Sequence, residues 1–492
     1  MIITPDCEEI TKLAKYYKRI PLCREVYADV VTPITLLRRI AEKSTRFYLL
    51  ESIEGGETWG RYSFLGFNPI MRLTCKNGTV DVEDSSGEEH TRRSVKTSKP
   101  LDVLRDILKD YKAPVIEGLP PFTGGFVGYF SYSMIQYAEP TLKLKQDDGS
   151  DYDLMLFDKV IAYDHLKQKI SIVVNMKTDN VMEQYGRACG ELESIARLIQ
   201  SNAPLAKSVT TDKPEFTCNV SKEDYCRMVE RTKEYIVDGD IFQAVISRQF
   251  SSPYEGSLLN AYRVLRTTNP SPYMVYMKLD DDEIMSTSPE TLVRLKQGRL
   301  TTFPVAGSRP RGATPEEDTR LEAELLADEK ELAEHNMLVD LGRNDLGRIS
   351  KFSTVEVTGY KMIHKYSRIM HICSQVEGDI RPDCDGCSAI EAVLPAGTLS
   401  GAPKIRACEI IDELEQVPRG IYGGALGYLD FTGNMDTCIA IRLAYAKNGK
   451  VFIRSGAGIV ADSEPEKEYQ ECINKAKAVM TALEMAEGGI DR

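Results

Sequence analysis

The sequence predicts a mixed α/β fold of the α+β type, arranged in two lobes, and three observations lead there. Short β-branched and aromatic runs such as 154–163 (LMLFDKVIAY) and 170–176 (ISIVVNM) read as strands, with a helical stretch from Val181 to Ile199 behind them. Both halves of the chain mix helix and strand without the regular βαβ alternation of a parallel doubly wound sheet. The chain is 492 residues long, which exceeds one compact core and points to two domains or one unusually large body.

The dividing stretch is 201–220 (SNAPLAKSVTTDKPEFTCNV), polar, with two prolines and no sustained period. The expected organisation is an N-terminal lobe over 1–200, a connecting segment over 201–220 and a C-terminal lobe over 221–485. The latter opens with a helix from Ser221, where Glu223 and Asp224 suit the first turn. An internal echo supports two lobes: TGGFVGYF at 123–130 and YGGALGYL at 422–429 share a double glycine followed by apolar and aromatic residues. That pattern suggests a strand with a bulge or a close backbone approach.

Hydrophobic content of 42% and charged content of 28% are those of a soluble globular protein. A formal charge of −12 argues against a nucleic-acid or acidic-membrane partner. The N-terminus lacks a signal-peptide core, and no stretch approaches roughly 18 uninterrupted apolar residues, so a cytoplasmic location is expected. Twelve scattered cysteines read as free thiols. The close pair Cys384 and Cys387 in PDCDGC lacks a second ligand pair and reads as a surface loop.

Chemistry collects in the C-terminal lobe. PVAGSRPRG (304–312) leaves a strand, turns at Gly307 and offers Ser308 with two arginines that either meet a carboxylate with paired donors or stay solvated on a β-turn. A helix is expected from about Pro315 onward, with Leu321, Leu325, Leu332 and Met337 on an apolar stripe and Glu331, Glu334 and His335 largely off it. A second acidic helix carries Glu468 and Glu471, with Ser463 and Glu466 in capping-box spacing and Pro465 in the first turn. It follows Gly456-Ala457-Gly458, expected as a turn whose N–H groups are free to receive a carboxylate. Residues at i and i+3 share a helix face. Two such acid pairs aimed at one cavity read as a Mg²⁺ site holding an anionic substrate, because that ion takes oxygen ligands and keeps waters.

Between these elements lie His371 in SRIMHICSQVEG (367–378), a natural proton carrier if it faces the cavity, and LPAGTLSGAPKIRA (394–407). In the latter Gly397, Thr398 and Gly401 precede a helix begun by Pro403, and the P-loop pattern is absent.

This run of blocks resembles component I of anthranilate synthase, within the chorismate-utilising enzymes. The resemblance spans most of 221–477 and continues more loosely through YLLES (48–52) and GRYSFLG (60–66). It implies large, mainly antiparallel sheets with outer helices, and conversion of chorismate and ammonia to anthranilate and pyruvate with Mg²⁺, at the opening of tryptophan biosynthesis. By the same resemblance Glu334 and Glu471 bind the metal, Glu331 and Glu468 support them, and Gly307, Ser308, Tyr422, Arg442, Gly456, Ala457 and Gly458 contact chorismate. His371 matches the family's catalytic histidine, and Thr398 a residue tied to the second step.

Two positions separate this chain from its relatives. Similar aminodeoxychorismate synthases carry a nucleophilic lysine where this sequence has Ala306. Isochorismate and salicylate synthases use a lysine to activate water where this sequence has Gln243, a residue that cannot act as that base. Ser52, Pro272, Tyr273 and Met274 resemble the family's feedback site for L-tryptophan. No G-x-C-x-G glutaminase motif is found, so a glutamine amidotransferase small subunit is the expected partner, in a heterotetramer. The alternatives are aminodeoxychorismate synthase component I and a noncatalytic chorismate or tryptophan sensor.

Overall fold

Strands dominate the molecule: among the described residues two antiparallel sheets of twelve strands each stack face to face, with helices on both outer surfaces, in the computed structural model of the chain. The structure describes residues 2–29, 31–52, 60–87, 89–146, 148–201, 203–205, 213–365 and 369–490.

Side-chain alternation builds these layers. Along the strand Arg46–Glu51, Phe47 and Leu49 enter the core beneath the outer helices, whereas Tyr48 enters the core between the sheets. That is the two-residue period of a strand buried on both faces. The middle core adds Phe64, Val275 and Met277 from the first sheet and Val127, Phe157 and Leu426 from the second. The helices Pro33–Ala41, Val181–Ile199, Leu259–Thr268 and Pro465–Met485 cover the first sheet through Leu36, Leu192, Leu265 and Val479. Pro100–Asp110 and Gly386–Val393 cover the second through Leu104 and Ile390.

Each sheet draws strands from both sides of the 201–220 segment. In the first, Arg46–Glu51 pairs with Tyr273–Leu279; in the second, Gly125–Phe130 pairs with Ala425–Asp430. The latter two strands are the glycine echo, and Gly128 lies opposite Gly427. A Cβ on Gly128 would stand 2.0 Å from the Asp153 carbonyl oxygen, so only glycine permits this approach. Within the segment itself, residues 202 and 206–212 lie outside the described residues. Thr217–Cys218 forms a short strand, and Ser221 Oγ accepts the Asp224 N–H at 3.0 Å to cap the helix Lys222–Val237.

Three local expectations are corrected. The single acidic helix breaks into Pro315–Ala327 and Glu329–Gly347, because Asp328 takes an extended backbone and its carboxylate caps the N–H groups of Lys330 and Glu331. Helix Pro465–Met485 starts after Glu464, while Ser463 Oγ accepts the Val460 N–H at 3.1 Å and so serves the preceding loop instead of a capping box. PDCDGC is the start of a helix: Asp385 caps Gly386–Val393 and Cys387 is buried in the core. All twelve cysteines are free thiols. Among the described residues no helix is long and apolar enough to cross a membrane.

Candidate active site

The floor of the site is a strand pair. Gln243–Pro253 runs antiparallel to Lys450–Ile459, with Val245 opposite Gly458 and Ser247 opposite Gly456. Residues 456–458 are therefore extended strand and not the expected turn. The glycines serve by size: a Cβ on Gly458 would lie 2.5 Å from Gln243 Nε2, and one on Gly456 would lie 3.0 Å from Tyr422 Oη. Alternation sends the Ala457 methyl the other way, into an apolar core with Tyr225 and Ile246. Its side chain does not face the site.

Above this floor the side chains of the two acidic helices come within electrostatic reach of one another. Gln243 Nε2 donates to Glu334 Oε1 at 3.5 Å. Burial pushes the Glu334 carboxyl above the usual range, and the charges of Glu331 and Glu471 push it further. Glu468 is raised by burial and by Glu471, and feels Lys330 from the facing helix. All four acids thus share one electrostatic neighbourhood. Cations are interleaved among them: Lys475 Nζ lies 2.7 Å from Glu471 and donates to the Gly456 carbonyl at 3.1 Å, and Arg309 stands 3.4 Å from Glu331. Among the described residues no three His, Cys, Asp or Glu side chains converge as a preformed ligand set. His335, expected off the apolar stripe, is 0% exposed and shares a 2.7 Å hydrogen bond with Ser374 Oγ; burial drives its pKa down to about 4.

A third wall comes from the second sheet. Val305–Pro310 pairs with Ile369–Asp379, placing Ala306 opposite Ile372 and Ser308 opposite His371, with a bulge between them at Gly307. Gly307 has φ +73°, a backbone region glycine adopts without strain. Its carbonyl can only accept, so His371 Nδ1 donates to it at 3.1 Å, and the lone pair of the neutral ring resides on Nε2. Burial lowers the His371 pKa, and Arg442 lowers it further. Residues 367 and 368 of the expected block lie outside the described residues. Arg442 is itself desolvated, which lowers its pKa, with the charge of Glu290 opposing.

Two functional candidates escaped the sequence reading. Glu290 is a half-buried acid in the link between the strands Asp282–Ser288 and Thr291–Lys296; Thr398 Oγ1 donates to it at 2.9 Å. Burial raises its pKa, against the pull of Thr398, Arg442 and Lys475. No spacing motif marks it, since its partners come from distant segments. Lys475 was legible, because it stands four residues after Glu471 on the same helix face.

Away from these groups, Ser52, Pro272, Tyr273 and Met274 border one cavity of about 550 Å³ between the sheets, together with Phe64, Arg294 and Tyr428. Tyr273 Oη donates to Asp436 Oδ1 at 2.7 Å. Met274 is corrected in one respect: its side chain is 0% exposed in the outer core, on the far face of the strand, so its main chain borders the cavity.

Fold and site define a chorismate-utilising architecture, and residues 45–481 match the chorismate binding enzyme family. The chain is 48% identical to anthranilate synthase component 1 of Acetivibrio thermocellus over 98% of this chain and 99% of that one. It is 44% identical to the protein of that name from Aquifex aeolicus (strain VF5), over 99% of both. The crystal structure of anthranilate synthase component I from Streptococcus pneumoniae TIGR4 superposes with a TM-score of 0.76 at 35% identity, covering 93% of this chain and 99% of that one. The chain belongs to the chorismate binding enzymes and, within them, to the anthranilate synthase component 1 family.

Proposed function

We propose that this chain is the ammonia-using subunit of anthranilate synthase, converting chorismate and ammonia to anthranilate and pyruvate with Mg²⁺. The observation that carries this reading is Lys475, whose charge reaches both Glu334 among the acids and Glu290 beside Thr398. Metal-type carboxylates and an acid with a raised pKa therefore feel one common cation.

Glu334 and Glu471 would hold the ion, with Glu331 and Glu468 in support. The donors fit: they are hard oxygens from two facing helices, and their mutual repulsion at Glu334 is relieved by a divalent cation. When bound, the ion neutralises the ring carboxylate and draws electron density from the conjugated ring. Arg442 meets a substrate carboxylate with paired donors, which compensates its desolvation. Gly307, Ser308, Tyr422 and the 456–458 strand shape the rest of the chorismate pocket.

Glu290, whose pKa burial raises, gives its proton to the C4 hydroxyl as the C–O bond breaks and water leaves, while ammonia forms the new bond at C2. Gln243 and Ala306 supply neither a base for water nor a competing amine. In the second step neutral His371 takes the C2 proton through Nε2 as the C3–O bond to the enolpyruvyl group breaks and the ring becomes aromatic. Thr398 keeps Glu290 in place throughout.

The inter-sheet cavity receives L-tryptophan as a feedback inhibitor, with Ser52, Pro272 and Tyr273 on its wall. Ammonia comes from a glutamine amidotransferase small subunit in a heterotetramer, and the enzyme works in the cytoplasm. The test is anthranilate fluorescence from chorismate and ammonium, with aminodeoxychorismate and isochorismate monitored as competing products. Dominance of either competing product would overturn the reading.

A further inference from the structure

A side chain on the wall of the inter-sheet cavity is hydrogen-bonded to the residue that follows the acid of the chorismate pocket. Tyr273, on the first sheet, gives its single hydroxyl proton to Asp436 of the second sheet at 2.7 Å. Its oxygen is then the acceptor in the 3.0 Å contact with Thr291 Oγ1, so Thr291 donates. Thr291 is 5% exposed and immediately follows Glu290. Arg294 steadies the same group, with Nε 3.2 Å from Asp436 and a second nitrogen 3.4 Å from the Tyr273 hydroxyl.

The backbone here is irregular. Thr291 pairs with Cys438 and Val293 with Thr437, so the register slips at Leu292 through a bulge. Bulges beside active sites re-aim side chains. The Glu290 main chain is otherwise held by its N–H near Ser288 Oγ at a long 3.4 Å, by Ser288 Oγ donating to its carbonyl at 3.3 Å and by the Ile439 N–H to the same carbonyl at 3.0 Å.

We propose that Thr291, held by Tyr273 and Asp436, is a positioning residue for Glu290, and that this hydrogen-bond chain carries occupancy of the inter-sheet cavity to the chorismate pocket. The inference rests on the reaction and the tryptophan cavity described above. A ligand that competes for the Tyr273 hydroxyl or the Asp436 carboxylate draws on the bond that fixes Thr291, and the bulge lets the adjoining residue follow. Coupling of this kind needs a differential contact in the two states, and the shared hydroxyl supplies it.

The test begins with ammonium-driven kinetics of Thr291→Val, which keeps the shape and removes the donor, and of Thr291→Ser, which keeps the donor. We expect Thr291→Val to lose about tenfold in kcat with chorismate KM changed less than about threefold, the pattern of an interaction made in the transition state. Thr291→Ser restores most of that rate. In Thr291→Val, whose position does not line the inter-sheet cavity, tryptophan binding measured by calorimetry should persist while inhibition weakens at least about tenfold; inhibition as strong as in the wild type would overturn the coupling. Wild-type kcat in Thr291→Val, or equal impairment in Thr291→Ser, would overturn the proposal. Failure of the wild-type enzyme itself to form anthranilate would overturn the reaction reading, and this inference with it.

Discussion

Lys475 Nζ stands 2.7 Å from Glu471, on the same helix, and its positive charge also acts on Glu334 of the facing helix. One ammonium group thus acts on two acids that are far apart in sequence. Even with it, the Glu334 carboxyl stays above its ordinary range, because burial and the charges of Glu331 and Glu471 outweigh Lys475 and Gln243.

That imbalance has a sign. A carboxyl with a raised folded-state pKa contributes full stability below its unfolded value and loses it as pH rises toward the folded value. Metal-free protein should therefore weaken as pH rises above the ordinary glutamate range, and Glu334→Gln should remove part of that loss. Mg²⁺ should reverse it. Thermal melts should rise with added Mg²⁺, by about 2.7 kcal/mol of stability at a hundredfold excess over Kd. In the double variant Glu334→Gln/Glu471→Gln that rise should vanish.

Glu290 carries the proton in this scheme, so activity should fall as pH rises through its elevated pKa. Glu290→Gln should lower ammonium-driven kcat by about 10²–10⁴, the usual worth of general acid catalysis, and should abolish that limb of the pH–rate profile. The measurement is kcat against pH for both proteins.

His335 makes an opposite pH demand on stability. Its folded pKa is pushed down to about 4 by burial, so the unfolded state binds the proton first and stability falls as pH drops from about 6.5 to 4, by up to about 3 kcal/mol. Denaturant midpoints across that window should show the loss. His335→Gln, which can keep a bond to Ser374, should flatten it.

Ser52 borders the inter-sheet cavity. Ser52→Arg places a long charged side chain there, and calorimetry should show tryptophan affinity reduced at least about tenfold through the introduced clash.

The sequence showed the chemistry more clearly than the geometry. Glu331, Glu334, Glu468 and Glu471 could be paired because i, i+3 spacing on a helix is a local signal; the structure puts them within electrostatic reach of one another without gathering three of them into a ligand set among the described residues. The glycine echo was local too, and became a cross-strand pair, Gly128 with Gly427. Gly456 and Gly458 were misread because glycine is ambiguous between a turn and a crowded strand; the crowding comes from Tyr422 and Gln243, which only tertiary structure places there. The break at Asp328 was hidden for the reverse reason, since an acidic run reads as continuous helix until one aspartate turns to cap the next segment. Glu290 was invisible because its partners Thr398, Arg442 and Lys475 arrive from three distant segments.

The central claim is that acids on two facing helices make one Mg²⁺-dependent chorismate site. Its most direct test is anthranilate fluorescence from chorismate and ammonium, titrated with Mg²⁺, in wild type and in Glu334→Gln and Glu471→Gln. Saturable Mg²⁺ dependence in wild type, with loss of turnover in both variants, is the expected result. Anthranilate formed at the wild-type rate by either variant, or undiminished in the presence of a chelator, would contradict it.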